Sequence, residues 1–175
     1  PAARRRAIFD AAEHNLRRGI TSVWEPSIEP DQLAIYRALE ADGAVPIRVT
    51  MAHKQILRSG EEVPIPQRFS GEWLSLEAIK LFQDGGFGGA TAALTEPYAN
   101  APETRGVMVW SQDELNARAR AIHDAGLRIS VHAIGDAAII SVLDAIEVAV
   151  NGSGENFRHR IEHCGLPLPP IPERL

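Results

Sequence analysis

Runs of apolar and β-branched residues return along this chain at the spacing of repeated strand–helix units. They begin near residues 20, 45, 76, 127 and 158. Apart from one long interval, they lie about 25 to 31 residues apart. Apolar residues at helical spacing follow most of these runs. A unit of this size holds a helix between two strands, and such a crossover requires parallel strands. We therefore expect an α/β fold with about five parallel βα units.

Alternating strands and helices alone are compatible with either a barrel or a doubly wound sheet. A dinucleotide-binding doubly wound sheet would carry Gly-x-Gly-x-x-Gly between a strand and a helix. The run Gly85-Gly86-Phe87-Gly88-Gly89 lacks that spacing, so a dinucleotide site is not supported. The chain has 175 residues, whereas a complete eight-fold barrel typically needs roughly 250. A barrel of this length would therefore be incomplete, and a doubly wound sheet remains possible from these patterns alone.

Local signals predict where individual strands and helices begin and end. The first strand, Ile20–Trp24, is expected to end at Glu25-Pro26. The pair Pro30-Asp31 is expected to open a helix. Ser111 and Glu114 have the spacing of a capping box, in which each residue bonds the backbone N–H of the other, so a further helix is expected to begin there.

Composition excludes several classes of function. A net charge of -5 and a pI near 5.7 argue against a nucleic-acid surface, which would show clustered basic residues. The only cysteine, Cys164, cannot form an intrachain disulfide, so the sequence does not imply an oxidising compartment. Neither an apolar run of the length of a membrane span nor a signal-like N-terminus is present. We expect a cytoplasmic protein that binds neither nucleic acid nor membrane.

Three polar side chains lie where strands should be apolar or just ending. Lys80 interrupts an apolar strand, and His132 and His163 lie near the ends of the next two strands. Each alone has an ordinary structural explanation, such as a core histidine or a lysine that extends to solvent. The carboxyl ends of barrel strands meet at one rim, where catalytic groups collect. Together the three residues therefore predict one site at that rim.

The glycine- and alanine-rich stretch from Gln83 to about Val109 is too long and too irregular for a packed element. We expect it to form a mobile cover over the rim that contains Lys80. Asp84, Phe87 and Tyr98 in this stretch are candidate substrate contacts, although Asp84 could equally begin a turn.

Other polar residues near the predicted site have simpler structural interpretations. Asp136 is expected to cap the helix that follows His132. Glu162 is expected to point to the strand face opposite to its histidine neighbour and to pair with Arg158 or Arg160.

Several motifs resemble those of a known family of metal-dependent hydrolases. The series comprises Gly19–Val23, Ile79–Gly85, Thr91–Leu94, Glu96–Tyr98, Val131–Asp136 and Arg158–His163. It resembles the amidohydrolase-3 branch of the amidohydrolase superfamily, which includes N-substituted formamide deformylases. The resemblance runs from about Gly19 to Leu175, and the two histidine motifs are its most specific parts. It implies that residues 1–175 form a single, incomplete segment of a (β/α)8 TIM-type barrel, with about five parallel βα units that correspond to strands 2–6 of the family barrel.

The resemblance implies a metal site and a reaction. In that family a strand-4 lysine, often carbamylated, and histidines on strands 5 and 6 hold metal, and Lys80, His132 and His163 match these positions. The implied cofactor is one or two divalent ions, most simply zinc. The implied reaction is hydrolysis of a C–N bond in a small amide-type substrate by a metal-activated water. The family's His-x-His on strand 1 and its proton-accepting aspartate on strand 8 have no counterpart, so no catalytic residue is assigned.

The alternative is a protein of a different class, a non-catalytic partial barrel or truncated fragment that self-associates. An open barrel exposes strand edges and interior apolar surface, which favours a homo-oligomer. Because the family's second-ion ligands and its proton-accepting aspartate have no counterpart in this sequence, we expect the 175-residue chain alone to be a poor hydrolase even if it binds metal.

Overall fold

The computed structural model describes residues 2–56, 63–151 and 158–175. Within these ranges helices alternate with strands, and β3 is a short additional strand. In chain order the elements are α1 (Ala2–Leu16), β1 (Ser22–Ile28), α2 (Pro30–Ala41), β2 (Arg48–Lys54), β3 (Phe69–Ser70), β4 (Leu74–Phe82), a 3-10 turn (Phe87–Gly89), α3 (Gln112–Asp124), β5 (Arg128–Ala133), α4 (Asp136–Val150), β6 (Arg160–His163) and α5 (Ile171–Arg174). None of the helices in the described ranges is both long and apolar enough to cross a membrane.

The chain divides into two compact units, and β4 begins in the first and ends in the second. The first unit comprises residues 1–54 and 66–78, and the second comprises residues 55–65 and 79–175. In the first, β1 is parallel to β2 and β3 is antiparallel to the start of β4. In the second, β5 is parallel to β6. Hydrogen-bonded neighbours follow the order β1-β2-β4-β5-β6.

This strand order and the alternating helices confirm the predicted fold class, a partial (β/α) barrel of about five units. The five strands begin at residues 22, 48, 74, 128 and 160, within three residues of the predicted starts. The strand β3, which has only two residues, was not predicted. The long interval after β4 contains the 3-10 turn and then irregular chain as far as α3.

The prediction that Glu25-Pro26 ends the first strand is wrong. Strand β1 continues through both residues to Ile28, and its register against β2 shifts between Glu25 and Ile28. A β-bulge leaves one residue of the strand unpaired, so a proline, which has no N–H, is tolerated there. The chain therefore extends its first strand past a residue that normally marks a strand end.

The core of the second unit fixes which side chains of β5 face the helices. The predicted capping box of α3 is confirmed, because Glu114 N donates to Ser111 Oγ and Ser111 N donates to Glu114 Oε2. Apolar residues of α3 and α4 pack on alternate residues of β5. The buried cluster includes Leu115, Ile122, Ile129, Val131, Ala133, Ile139 and Val142. Each large side chain contributes about 1.5–3 kcal/mol by leaving water. Strand alternation then turns Ser130 and His132 to the opposite face.

Candidate metal centre

Two histidines and a lysine lie close together near the carboxyl ends of three neighbouring strands. His132 is the second-last residue of β5, and His163 is the last residue of β6. Their ring centroids are 4.6 Å apart, with ring planes inclined at 71°. Lys80 lies near the end of β4, and its Nζ is 4.9 Å from the ring centroid of Phe82. The Phe82 ring is in turn 5.5 Å from the His132 ring.

The backbone at His163 departs from strand geometry. The pairing register places Glu162 opposite His132 and His163 opposite Ala133, so alternation alone would turn His163 towards the helices. His163 and Cys164 instead have φ values of 73° and 47°, in the left-handed region that residues other than glycine rarely occupy. His163 thus leaves strand geometry at the point where its ring lies beside the ring of His132. Such strain persists only where the surrounding structure holds it.

The prediction that Glu162 points away from the site is wrong, although its predicted ion pair with Arg160 is confirmed. Arg160 Nε lies 2.8 Å from Glu162 Oε1. Ser130 Oγ donates to the same oxygen at 2.8 Å. Ser130 and His132 are two residues apart on β5 and therefore share a strand face. Glu162 accordingly lies on the face of β5 that carries His132, and hydrogen bonds to Arg160 and Ser130 lower the pKa of its carboxyl.

Burial makes the amine of Lys80 easier to deprotonate. The side chain is 4% exposed, and desolvation is the largest cause that lowers its pKa, to about 8. The carboxylate of Glu162 raises this pKa and the guanidinium of Arg160 lowers it. A neutral amine is the form that can react with CO2 to give a carbamate.

The hydrogen bonds of His132 define which of its ring nitrogens is available to a ligand. Nε2 lies 2.8 Å from the carbonyl oxygen of Gly85, which can only accept a hydrogen bond. Nε2 therefore carries the hydrogen, and Nδ1 keeps its lone pair. Asp84 Oδ1 lies 3.4 Å from the same Nε2. Histidines that bind metal characteristically donate their other N–H to a carbonyl or a carboxylate, so this arrangement fits a metal ligand.

The electrostatic surroundings of His163 favour the neutral ring that metal binding requires. Desolvation lowers the pKa of His163, and the neighbouring His132 and Lys80 lower it further. Glu162 and Asp84 act in the opposite direction but do not reverse the shift.

The histidine, cysteine and acidic side chains of the described residues do not by themselves form a complete set of metal ligands. Within residues 2–56, 63–151 and 158–175, no group of three or more histidine, cysteine and acidic side chains could hold a metal ion. Two imidazoles therefore need a further donor. Lys80 would provide carboxylate-type oxygens if it were carbamylated, and the chemistry of this donor set suits zinc.

The three predicted substrate contacts lie in different environments. The Asp84 side chain is fully buried and accepts hydrogen bonds from backbone N–H groups. Tyr98 is 9% exposed, and its hydroxyl donates to Ala92 O at 2.8 Å. Phe87, in the 3-10 turn, is 46% exposed and is the one of the three that offers apolar surface to solvent. Contact of these residues with substrate stays a prediction.

The segment from Gln83 to Val109 is irregular, but its backbone is closed by its own hydrogen bonds. Gly85 N donates to Thr91 O, Leu94 N to Arg105 O, and Val109 N to Gln83 O. The ends of the segment are therefore held together next to β4. Its mobility stays a prediction.

A second histidine pair lies near the amino ends of β5 and β6. His159 Nδ1 accepts a hydrogen bond from Ile129 N at 3.0 Å, so the hydrogen of a neutral His159 is on Nε2. That Nε2 lies 3.1 Å from His123 Nδ1. Sequence reasoning missed this pair, because the two residues are 36 positions apart in the chain and no motif contains both of them. The hydrogen bond from Ile129 N requires that Nδ1 of His159 carries no proton.

We expect the stability of the chain to fall as pH is lowered from about 6.5 to about 4, because His159 of the unfolded chain takes up a proton in this range. Desolvation first, then His123 and Arg128, lower the pKa of His159 from 6.5 to about 4. The unfolded chain therefore binds a proton near pH 6.5 that the folded chain binds only near pH 4. The stability that the neutral His159 contributes is fully present above about pH 6.5. It declines as pH falls towards 4 and is lost below that pH.

Urea unfolding at several pH values checks this expectation. The free energy of unfolding of His159→Gln should depend less on pH between 6.5 and 4 than that of the unsubstituted chain. His14→Gln, on the exposed side of α1, is the matched control and should keep the full dependence. Equal pH dependence in His159→Gln and the unsubstituted chain would contradict the assignment.

Comparison with known proteins gives matches along nearly the whole chain. A model of the amidohydrolase family matches residues 1–171. The putative amidohydrolase YtcJ of Bacillus subtilis is 37% identical over 124 residues, covering 70% of this chain and 23% of that protein. The protein LONG AFTER FAR-RED 3 of Arabidopsis thaliana is 30% identical over 174 residues, covering 92% of this chain and 30% of that protein.

Two solved structures have the same architecture over most of the chain. An uncharacterized metal-dependent hydrolase from Pyrococcus horikoshii OT3 has a TM-score of 0.78 and 31% identity, covering 94% of this chain and 33% of that one. A second, from Pyrococcus furiosus, has a TM-score of 0.70 and 32% identity, covering 80% and 30%. The chain thus spans 23% to 30% of the curated relatives and 30% to 33% of the two structures.

Proposed function

This chain belongs to the amidohydrolase family, and from that premise we propose that it provides part of the active site of a metal-dependent hydrolase that cleaves amide-type C–N bonds. The observation that carries the proposal is the pairing of His132 with His163, whose rings are 4.6 Å apart at the ends of two parallel strands. Lys80 on β4, with its lowered pKa, adds the third element.

The residues that would hold a divalent ion are His132, His163 and Lys80. A bound ion of the zinc type lowers the pKa of water to about 7 and polarises the carbonyl of a substrate. His132 would use Nδ1, because its Nε2 hydrogen is committed to Gly85 O. The buried Lys80 amine, when neutral, forms an N–C bond with CO2 and loses one proton to give a carbamate. We propose one or two zinc ions as the cofactor.

The bond type and substrate class rest on family membership. A small amide-type molecule is the proposed substrate, and its apolar part would meet Phe87 in the exposed 3-10 turn.

Zinc titration tests the proposed site. The unsubstituted chain should bind Zn2+, and His163→Ala should bind it at least about 100-fold more weakly, because one of two imidazole donors is removed. His14→Ala, distant in sequence and exposed on α1, should bind as the unsubstituted chain does. Failure of the unsubstituted chain to bind zinc, or equal binding by His163→Ala, would overturn the site.

Hydrolysis assays test the bond type. N-substituted formamides and N-acyl amino acids should be assayed beside carboxylate esters of matched size. We expect turnover of the amides little above background, because the described residues do not include a group of three histidine, cysteine and acidic side chains able to hold metal. Amide turnover that is lost in His132→Ala would support the C–N assignment, and turnover of esters alone would contradict it.

Self-association is a second candidate property, favoured by exposed apolar surface. Val107, Met108 and Val109 are 54%, 42% and 53% exposed, and they are consecutive. Contiguous apolar patches of this kind often mark interaction surfaces. Light scattering after gel filtration measures the oligomeric state, and a monomer at all concentrations would contradict self-association.

A further inference from the structure

The buried carboxylate of Asp84 connects the chain after β4 to the chain after β5. Its side chain has no exposed surface. Oδ2 accepts hydrogen bonds from Ala93 N at 3.0 Å and Gly135 N at 2.8 Å. Ile134 N donates to Oδ1 at 3.0 Å. A carboxylate that accepts hydrogen bonds from three backbone donors fixes the backbone around it.

The same carboxylate lies beside the donor nitrogen of His132. Asp84 Oδ1 is 3.4 Å from Nε2, and the carbonyl of the next residue, Gly85, accepts the Nε2 hydrogen at 2.8 Å. The position of that carbonyl is tightly constrained. A Cβ at Gly85 would meet Thr91 Oγ1 at 2.1 Å, and Gly85 N donates to Thr91 O.

We propose that Asp84 is a positioning residue for the metal centre. It holds the turn after β4 against the turn after β5, so that Gly85 O faces His132 Nε2 and Nδ1 is left for the ion. Its negative charge also favours a hydrogen on Nε2 over one on Nδ1. This inference rests on the proposed function, in which His132 is a ligand. It gives Asp84 an orienting role rather than the contact with substrate expected from sequence.

An aspartate is the side chain that suits this geometry. Three N–H groups converge on its two oxygens, and a carboxylate has only acceptor atoms. An asparagine of the same shape would turn an NH2 group towards at least one of these donors. The buried N–H would then lose its partner, which destabilises the turn.

Asp136 provides a matched control in the same part of the chain. It is also buried, and its carboxylate accepts the backbone N–H and the hydroxyl of Thr95. The prediction that Asp136 caps α4 is wrong, because the N-cap residue is Gly135 and the Asp136 side chain binds Thr95 instead. It therefore holds the same segment, residues 83–109, to the start of α4. Within the described residues, Asp136 makes no hydrogen bond or ion pair to His132. Asp136→Asn therefore changes a buried carboxylate that binds the same segment but does not touch the ring.

The test compares Asp84→Asn with Asp136→Asn in two measurements on the whole chain. The first is the 15N chemical shift of the His132 ring in metal-free protein at pH 8, which reports the tautomer. The unsubstituted chain and Asp136→Asn should show hydrogen on Nε2, and Asp84→Asn should show a mixture of tautomers. The second is zinc affinity, which should fall about 10- to 100-fold in Asp84→Asn and change little in Asp136→Asn.

The outcomes separate this inference from the proposed function. A metal-free unsubstituted chain with hydrogen on Nδ1 of His132 would overturn the positioning role directly, whether or not either variant folds. Equal loss of zinc affinity in the two variants would reduce Asp84 to a structural residue and also overturn it. If the unsubstituted chain has the expected tautomer but binds no zinc, the proposed function fails while the orientation of His132 by Asp84 and Gly85 is upheld.

Discussion

Replacing Lys80 with arginine is expected to weaken zinc binding by about 100-fold or more and to remove any effect of bicarbonate on it. Lysine can lose its proton in this buried position, where its pKa is about 8, and then react with CO2. Arginine keeps its charge and cannot form the carbamate. The site would then contain two imidazoles and a cation, and the cation would repel the metal.

Lys80→Glu separates the chemistry of the carbamate from the position of the side chain. Glutamate provides carboxylate oxygens without CO2, so it should bind zinc more tightly than Lys80→Arg and without dependence on bicarbonate. Calorimetric titration in CO2-free and bicarbonate-supplemented buffer measures both effects. Zinc affinity that is independent of bicarbonate in the unsubstituted chain would contradict carbamylation of Lys80.

Replacing Gly135 with alanine is expected to destabilise the second unit by about 3 kcal/mol. A Cβ at this position would lie 1.9 Å from Ala93 O and 2.5 Å from Ala93 C. Both are backbone atoms, so a rotamer change cannot relieve the clash. Moving the backbone would also disturb the hydrogen bond from Gly135 N to Asp84.

Gly88→Ala is the control for this substitution. Gly88 lies in the 3-10 turn, and a Cβ there has no atom within 4 Å. Its unfolding free energy should stay within about 0.5 kcal/mol of the unsubstituted value. Chemical denaturation measures both variants, and equal stability of the two would show that the turn at Gly135 adapts without cost.

Sequence periodicity predicted the alternating strands and helices, and the family resemblance predicted the partial barrel. The apolar runs that become β4, β5 and β6 also fix where they end, and their ends carry Lys80, His132 and His163. The capping box at Ser111 was predicted correctly, because such a local signal depends only on neighbouring residues. Pro26 was misjudged because a bulge depends on the register with another strand.

The features that sequence reasoning missed depend on backbone geometry or on distant pairs. Glu162 was placed on the wrong face because His163 was assumed to follow strand alternation onto the face of the site, and the left-handed backbone at His163 is not encoded in the apolar pattern. The hydrogen bonds of Asp84 could not be predicted from sequence, because its partners are main-chain N–H groups, which every residue except proline has. Only the folded chain brings these groups together.

The contact of Asp84 with main-chain groups also bears on how relatives of this chain can diverge. Asp84 binds the backbone N–H groups of Ala93 and Ile134, so these hydrogen bonds do not depend on which side chains the two positions carry. A mutation at the partly exposed Ile134 can therefore change the neighbouring surface without breaking this hydrogen bond, provided that the new residue is not proline and its side chain fits. Ala93 is only 3% exposed, so a larger side chain there would have to displace the core. Relatives can in this way differ in what their sites recognise, while the turns that orient His132 in our proposal keep the same backbone hydrogen bonds.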